Sequence, residues 1–331
     1  MTAEPVPAEP LLSVRGLSVG LRARDTVTPL VRDVDLDIYP GERVGIVGES
    51  GSGKSLTLLA IMGLLASPPL EVLGGSVRFR GTELAGAPDR ALRALRGKDI
   101  AMVYQDPMTS LDPVQRVGAQ VAEGLRAHGT SRREAERRVL DVLAEVRLPA
   151  PERVARAYPH ELSGGMRQRV MIAAALAGGP RLLLADEPTT ALDVTIQREI
   201  LRLVTRLQRA RNLAVLWVTH DLGVAAQFAQ RLAVMYAGRV VETGATRAVF
   251  SAPQHPYTAA LLSAVPSAAA TRAELGQIPG SPPDPARRPP GCSFAPRCRQ
   301  AVDRCHAGEP ALRERPNGSL AACLVPPGQW S

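Results

Sequence analysis

The stretch Gly48-Glu49-Ser50-Gly51-Ser52-Gly53-Lys54-Ser55 constrains this chain more than any other. An apolar run, Val44 to Val47, precedes it and reads as a buried strand. Another, Leu56 to Leu65, follows it and reads as a buried helix. Strand, glycine-rich turn and helix are the setting that a phosphate-binding loop requires. Backbone N–H groups point into such a loop and the helix N-terminus adds its dipole, so a polyanion is favoured. Gly51 and Gly53 let the chain pass close to phosphates with no Cβ in the way. Lys54 reaches the outer phosphates as a compact point charge, and the Ser55 hydroxyl suits Mg²⁺. Arginine is the default cation here: among 40 basic residues only Lys54 and Lys98 are lysines, so a lysine at this place is chemically chosen.

At 331 residues the chain is long enough for one large or two smaller domains with ample core. Its net charge of +8 comes from dispersed arginines, and no basic segment is interleaved with aromatic residues, so no nucleic-acid partner is expected. No apolar stretch reaches the ~18 residues needed to span a bilayer. Met1 to Pro10, with three prolines and two glutamates, reads as a disordered tail rather than a signal peptide. The expectation is a soluble, cytoplasmic chain whose membrane role, if any, comes through a partner.

Leu11 to Leu21 alternates loosely. Val31, Val34, Leu36 and Ile38 alternate as a half-buried strand would, and Tyr39-Pro-Gly-Glu42 is a turn into the core strand. Gly74 to Phe79 reads as another strand. From about Ala87 to Ala174 helical signals dominate, which predicts a helical subdomain inserted into an α/β core. Ser131-Arg-Arg-Glu134 there is a capping box, and Val139, Val142, Leu143 and Val146 share one helical face.

Four further stretches carry chemistry. Gln105 follows the strand-like Ile100 to Val103; its amide oxygen could coordinate Mg²⁺, although alone it reads equally as a surface glutamine before a turn. Leu182 to Ala185 is an apolar strand that ends in Asp186 and Glu187. Two acids at a strand end are costly unless they hold a metal or move protons. Asp186 would bind Mg²⁺ and Glu187 would polarise an attacking water, worth typically ~10²–10⁴-fold. Leu162-Ser163-Gly164-Gly165-Met166-Arg167-Gln168 opens an apolar helix and exposes amides, a second helix-terminus anion site; the plain alternative is an ordinary N-cap. Leu213 to Val218 is one more apolar strand, and His220 at its end could contact a γ-phosphate.

In this order the motifs resemble the ATP-binding subunit of an ABC transporter, over about residues 11–250. Gly48 to Leu56 resembles Walker A and the segment of Gln105 the Q-loop. Leu162 to Gln168 resembles the LSGGQ-type signature, with Met166-Arg167 where many signatures read Gly-Gln. Leu182 to Asp186 resembles Walker B, Glu187 the catalytic glutamate, Ala191-Leu192-Asp193 the D-loop and His220 the switch histidine. The resemblance implies a RecA-like P-loop NTPase core with an N-terminal antiparallel β subdomain and the inserted helical subdomain. It implies Mg²⁺ held through Ser55, Gln105 and Asp186, and catalysis by Glu187, His220 and Gln105. It also implies a head-to-tail pair of cassettes, in which Ser163, Gly164, Gly165 and Gln168 of one subunit close on the ATP of the other. One departure is that residues 11–38 contain no Phe, Tyr or Trp to stack under adenine.

After about Phe250 prolines cluster, and all four cysteines follow: Cys292, Cys298, Cys305 and Cys323, at intervals of five, six and seventeen residues. Disulfides are not expected in a cytosolic chain. Thiols confined in this way suggest a metal site, and spacing alone does not separate Zn²⁺ from [4Fe–4S] or from free buried thiols. His255-Pro-Tyr-Thr258, Ile278-Pro-Gly280 and Gly291-Cys-Ser-Phe-Ala-Pro-Arg-Cys298 are similar to the C-terminal domain of dipeptide, oligopeptide and nickel importer ATPases. That resemblance implies a structural [4Fe–4S] cluster on the four cysteines. Gly48 to Leu56 and Ala185-Asp-Glu-Pro-Thr-Thr-Ala-Leu192 resemble the D-type member of such pairs. The implied partners are an F-type second ATPase, two transmembrane permeases and an extracytoplasmic substrate-binding protein, at the cytoplasmic face of the membrane. The implied activity is ATP hydrolysis coupled to uptake of dipeptides or oligopeptides, or alternatively of nickel or another small solute. A soluble ABC protein acting on nucleic acid or ribosomes fits less well, because Ser55 and Ser163 lie only about a hundred residues apart with no heptad run between them.

Overall fold

A computed structural model describes residues 9–105, 110–190, 192–264, 278–325 and 327. In chain order its strands are β1 (Leu12–Ala23), β2 (Thr26–Ile38), β3 (Arg43–Val47), β4 (Leu70–Phe79), β5 (Thr82–Glu83), β6 (Ile100–Val103), β7 (Leu182–Asp186), β8 (Ala214–Thr219), β9 (Arg231–Tyr236), β10 (Arg239–Ala245), β11 (Arg313–Glu314) and β12 (Leu320–Ala321). The helices are α1 (Lys54–Met62), α2 (Asp89–Leu95), α3 (Val117–Ala127), α4 (Arg132–Glu145), α5 (Pro151–Arg156), α6 (Gly164–Leu176), α7 (Val194–Arg211), α8 (Leu222–Phe228), α9 (Thr246–Ser251), α10 (Pro256–Ser263) and α11 (Arg304–Ala307). They fall into two compact units.

One unit comprises Leu12–Asp37, Arg43–Gly86 and Val218 onward, and carries the phosphate loop. Its antiparallel sheet runs β2-β1-β4-β5, with Leu12 opposite Phe79 and Val14 opposite Val77. Along β2 the buried residues are Val31, Val34, Leu36 and Ile38. The three-residue step from Val31 to Val34 breaks a period of two. It is accommodated at Asp33, whose φ of 51° kinks the strand and restores the inward phase. In the same unit β3 runs parallel to β9, Val44 opposite Arg231 and Val47 opposite Val234. β9 is antiparallel to β10, and β12 and β11 continue the order outward. The C-terminal residues therefore extend the sheet that contains β3 and β9 rather than trailing from it. Val47, Leu232, Val234, Tyr236, Tyr257 and Phe294 form one core cluster, so the strand before the loop and the extension share a hydrophobic centre.

The other unit contains Ile38–Glu42 and Ala87–Trp217. Here β6 and β7 are parallel, Ile100 opposite Leu182 and Val103 opposite Ala185, with β8 on the far side of β7. Every residue of β7 is buried, as expected of a strand covered on both faces. Helices α3 to α6 pack on one another. The Ser131 hydroxyl accepts the Glu134 N–H at 3.3 Å, one half of the expected capping box, and Val139, Val142, Leu143 and Val146 are all buried. Among the described residues no helix is long and apolar enough to cross a membrane.

Candidate functional site

Strand β3 delivers Gly48 against β9. A Cβ built there would lie 2.2 Å from the Met235 carbonyl oxygen and 2.9 Å from Ser52 Oγ, so only glycine fits. Gly51 has nothing within 4 Å of the same construction and opens outward. Gly53, at φ 99°, turns the chain into α1, whose first residue is Lys54. The first turn of α1 holds no acidic residue, so nothing in it competes with an anion at the helix N-terminus. Lys54 is only 4% exposed, and its Nζ donates to the carbonyl oxygens of Gly48 at 2.9 Å and Glu49 at 3.0 Å. The ammonium is thus folded back over the loop. The Ser52 hydroxyl is buried without a hydrogen-bond partner. An outward-opening glycine, a tethered cation and an orphan hydroxyl suit a phosphate chain. Ser55 follows Lys54 in the first turn of α1, half-buried. His220 lies in the same unit, exposed just beyond β8; the next residue, Asp221, caps α8 by accepting the Gly223 N–H at 2.8 Å.

In the other unit Asp186 ends β7 at 7% exposure. Glu187 has φ 45°, a left-handed conformation that a non-glycine residue holds only under constraint. Its carboxylate accepts the Thr190 hydroxyl at 3.0 Å, and its carbonyl accepts the Thr190 N–H at 3.2 Å. The chain therefore turns sharply after the last buried strand residue, with Glu187 half-buried at the turn. Gln105 is exposed beyond the end of β6; Asp106 and Pro107 of that segment, and Ala191, lie outside the described residues.

Ser163 caps α6, its hydroxyl accepting the Met166 N–H at 3.3 Å, and Ser163 and Gly164 are exposed. A Cβ at Gly165 would come within 2.9 Å of Ile196 Cγ2, so this glycine lets α6 approach α7. Asp193 caps α7 by accepting the N–H groups of Thr195 and Ile196 at 3.0 and 2.9 Å. Gln168, the fourth residue assigned to the signature, lies further along α6. It is fully buried, and both its amide atoms lack hydrogen-bond partners.

The cysteines are free thiols drawn into one small region. Cys292, Cys305 and Cys323 share an apolar cluster with Ala295 and Val325, and Cys298 packs on the neighbouring core. Burial raises the thiol pKa values of Cys292, to about 11, and of Cys298 and Cys323, and charge on neighbouring cysteines adds to each rise. An all-thiol donor set suits a soft metal centre. The separations do not close around one: among the described residues no group of three or more His, Cys, Asp or Glu side chains is placed to hold a metal ion. The [4Fe–4S] and Zn²⁺ expectations thus find thiol convergence here but no formed metal site.

Sequence reasoning missed two residues of the phosphate-loop surroundings, Tyr257 and Arg297. Both contact Glu49. The only signal they left was their place in the His255–Thr258 and Gly291–Cys298 stretches.

A tethered lysine in a glycine loop between a buried strand and a helix defines a phosphate-loop nucleotide-binding protein. Comparison with known proteins narrows the class. Residues 31–190 match the ABC transporter family model, and residues 241–305 match the oligopeptide/dipeptide transporter C-terminal region. The oligopeptide transport ATP-binding protein OppD of Salmonella typhimurium is 48% identical over 326 residues, covering 98% of this chain and 96% of that one. A Brucella ovis protein named for peptide import is 51% identical over 316 residues, covering 92% and 94%. Among solved structures, the dimeric ATP-binding cassette MJ0796 bound to ADP and Pi superposes with a TM-score of 0.63 at 31% identity, covering 71% of this chain and 99% of that one. The cbiO1 protein of Clostridium perfringens gives a TM-score of 0.63 at 27% identity, covering 73% and 91%. The chain belongs to the ATP-hydrolysing, ATP-binding subunits of ABC transporters.

Proposed function

We propose that this chain energises peptide import by hydrolysing ATP at the cytoplasmic face of a membrane. The observation that carries the reading is the joining, in one unit, of a built phosphate loop to a C-terminal segment of the oligopeptide/dipeptide transporter type. Gly48 to Leu56 bind the phosphates and Lys54 neutralises the outermost. Ser55, Gln105 and Asp186 are the ligands assigned to Mg²⁺, which would offset phosphate charge as the terminal bond breaks. Glu187 polarises the attacking water and His220 holds it against the γ-phosphate. Ser163, Gly164 and Gly165, exposed or half-exposed at the start of α6, complete the pocket of a second cassette in a head-to-tail pair, with Asp193 beside them. The second cassette is proposed to be the related F-type subunit, and the pair to work on two permeases fed by a substrate-binding protein.

The four cysteines are proposed to hold a structural [4Fe–4S] cluster, on the strength of their number and their confinement to one C-terminal segment. Anaerobic purification tests this: iron and acid-labile sulfide with a broad visible band are expected, and colourless, iron-free protein refutes it. For the transport reading the test is uptake of a labelled dipeptide in cells lacking this gene. Wild type should restore uptake and Glu187→Gln should not. Uptake that is indifferent to the gene would refute the assignment.

A further inference from the structure

Two separate pieces of the C-terminal extension meet at one residue of the phosphate loop. The Glu49 N–H donates to the Tyr257 hydroxyl at 2.9 Å. The Glu49 carboxylate receives both arms of Arg297, Nη1 to Oε2 at 2.7 Å and Nη2 to Oε1 at 3.0 Å. Arg297 is itself fully engaged. Nε donates to the Pro279 carbonyl at 2.8 Å, Nη2 also to the Ile278 carbonyl at 3.4 Å, and Nη1 also to the Tyr236 hydroxyl at 3.3 Å. A guanidinium has five N–H donors in a rigid fork, and all five are used. The Arg297 side chain is 6% exposed and that of Glu49 is 26% exposed, so the pair is shielded from solvent and salt on one side only. The guanidinium carbon also lies 5.8 Å from the Tyr236 ring centroid.

This arrangement answers a problem the loop creates for itself. Glu49 places a carboxylate beside the site where a polyanion must sit, and an uncompensated charge there would repel it. Arg297 cancels that charge. It also pins the residue whose carbonyl oxygen accepts from Lys54. We propose that Arg297 is a positioning residue for ATP binding: the C-terminal extension, through Arg297 and Tyr257, holds and neutralises Glu49 and so presets the phosphate loop. Arg297 touches no nucleotide in this scheme; it acts through Glu49. It occupies the short helical turn Ala295–Arg297 between Cys292 and Cys298, so the folding of the thiol-bearing segment is what places it.

The proposal rests on Gly48–Ser55 being the nucleotide site. The test measures binding of a fluorescent ATP analogue with Mg²⁺, and the KM and kcat of hydrolysis, on the full-length chain. Arg297→Ala should weaken binding about 10- to 100-fold, the range for loss of a charge-assisted hydrogen bond. KM should rise with it while kcat changes little. Arg297→Ala combined with Glu49→Gln should bind no more weakly than Arg297→Ala alone, because the charge to be neutralised has gone. A merely structural role would lower the melting temperature and the active fraction yet leave Kd and KM of the folded protein unchanged; that result, or additive losses in the double variant, overturns the proposal. If Arg297→Ala does not fold, Arg297→Lys retains the charge without the fork and should lose part of the affinity; an unchanged Kd there overturns it equally. Lys54→Ala is the control for the underlying site. Full ATP affinity in that variant would sink the assignment of the loop itself, whereas loss in Lys54→Ala with none in Arg297→Ala sinks only the positioning role.

Discussion

Gly48→Ala and Gly51→Ala make the same chemical change three residues apart in one loop, and the structure assigns them unequal costs to folding. At Gly51, with φ 76°, the new Cβ meets nothing within 4 Å. Its cost to folding is the backbone term alone, roughly 1–2 kcal/mol for an L-residue in the left-handed region. At Gly48 the Cβ would sit 2.2 Å from the Met235 carbonyl oxygen, and neither is the far end of a flexible side chain. Strand β9 or the loop must move. Overpacking of this kind costs typically ~1–3 kcal/mol, added to a backbone term of similar size. The sum, about 2–5 kcal/mol, is a large share of the ~5–15 kcal/mol that keeps an ordinary domain folded. Urea unfolding followed by far-UV circular dichroism on each full-length variant measures the difference. Gly48→Ala should shift the midpoint markedly and Gly51→Ala only modestly. ATP affinity should fall in both, because the open side of Gly51 is where phosphate oxygens would lie. The reasoning is refuted if Gly48→Ala proves as stable as Gly51→Ala, or if Gly51→Ala keeps wild-type affinity.

Glu187→Gln should leave ATP binding near wild type and lower turnover by ~10²-fold or more, as expected for loss of a general base; a steady-state ATPase assay with unchanged kcat would remove Glu187 from that role. His255 is buried, its Nδ1 accepting the Tyr257 N–H at 3.0 Å, and burial holds its pKa down at about 3. The unfolded chain therefore binds a proton below about pH 6.5 that the folded chain refuses, so this residue lowers stability as pH falls from 6.5 toward 3 and has no effect above that window. His255→Asn should flatten that part of the stability–pH curve, which chemical denaturation between pH 5 and 7.5 reads directly. The Cys292 thiol, raised to about 11 by burial, should alkylate with iodoacetamide far more slowly at pH 8 than a free cysteine; mass spectrometry showing rapid labelling would contradict the packed arrangement.

The phosphate loop was legible because its information is local. Glycine positions, one lysine and two apolar flanks sit within about twenty residues. Strand β7 with its terminal acids and the α4 face were legible for the same reason, since period and composition declare them. The Glu49–Arg297 pair was not, because its partners are 248 residues apart and Arg297 is one arginine among many. Its neighbours Cys292 and Cys298 attracted the reading instead. Gly165 looked like an amide-exposing residue of the signature, whereas its close approach to Ile196 depends on how α6 meets α7, which no run of sequence states. The burial of Gln168 was likewise not written in the string, because it depends on what packs over that part of α6. The step in β2 is an intermediate case: the spacing of Val31 and Val34 was visible, but the left-handed Asp33 that reconciles it with a strand was not.

The guanidinium–carboxylate pair also has a consequence for how such chains can be cut and recombined. Trimming at Phe250, where the composition changes, would remove the counter-ion of an acid that stays behind in the nucleotide pocket. A fragment of that kind would misreport the affinity of the whole. A hybrid that took its front half from one homologue and its tail from another would need Glu49 and Arg297 to travel as a matched set. The two residues act as one unit, although 248 residues separate them along the chain.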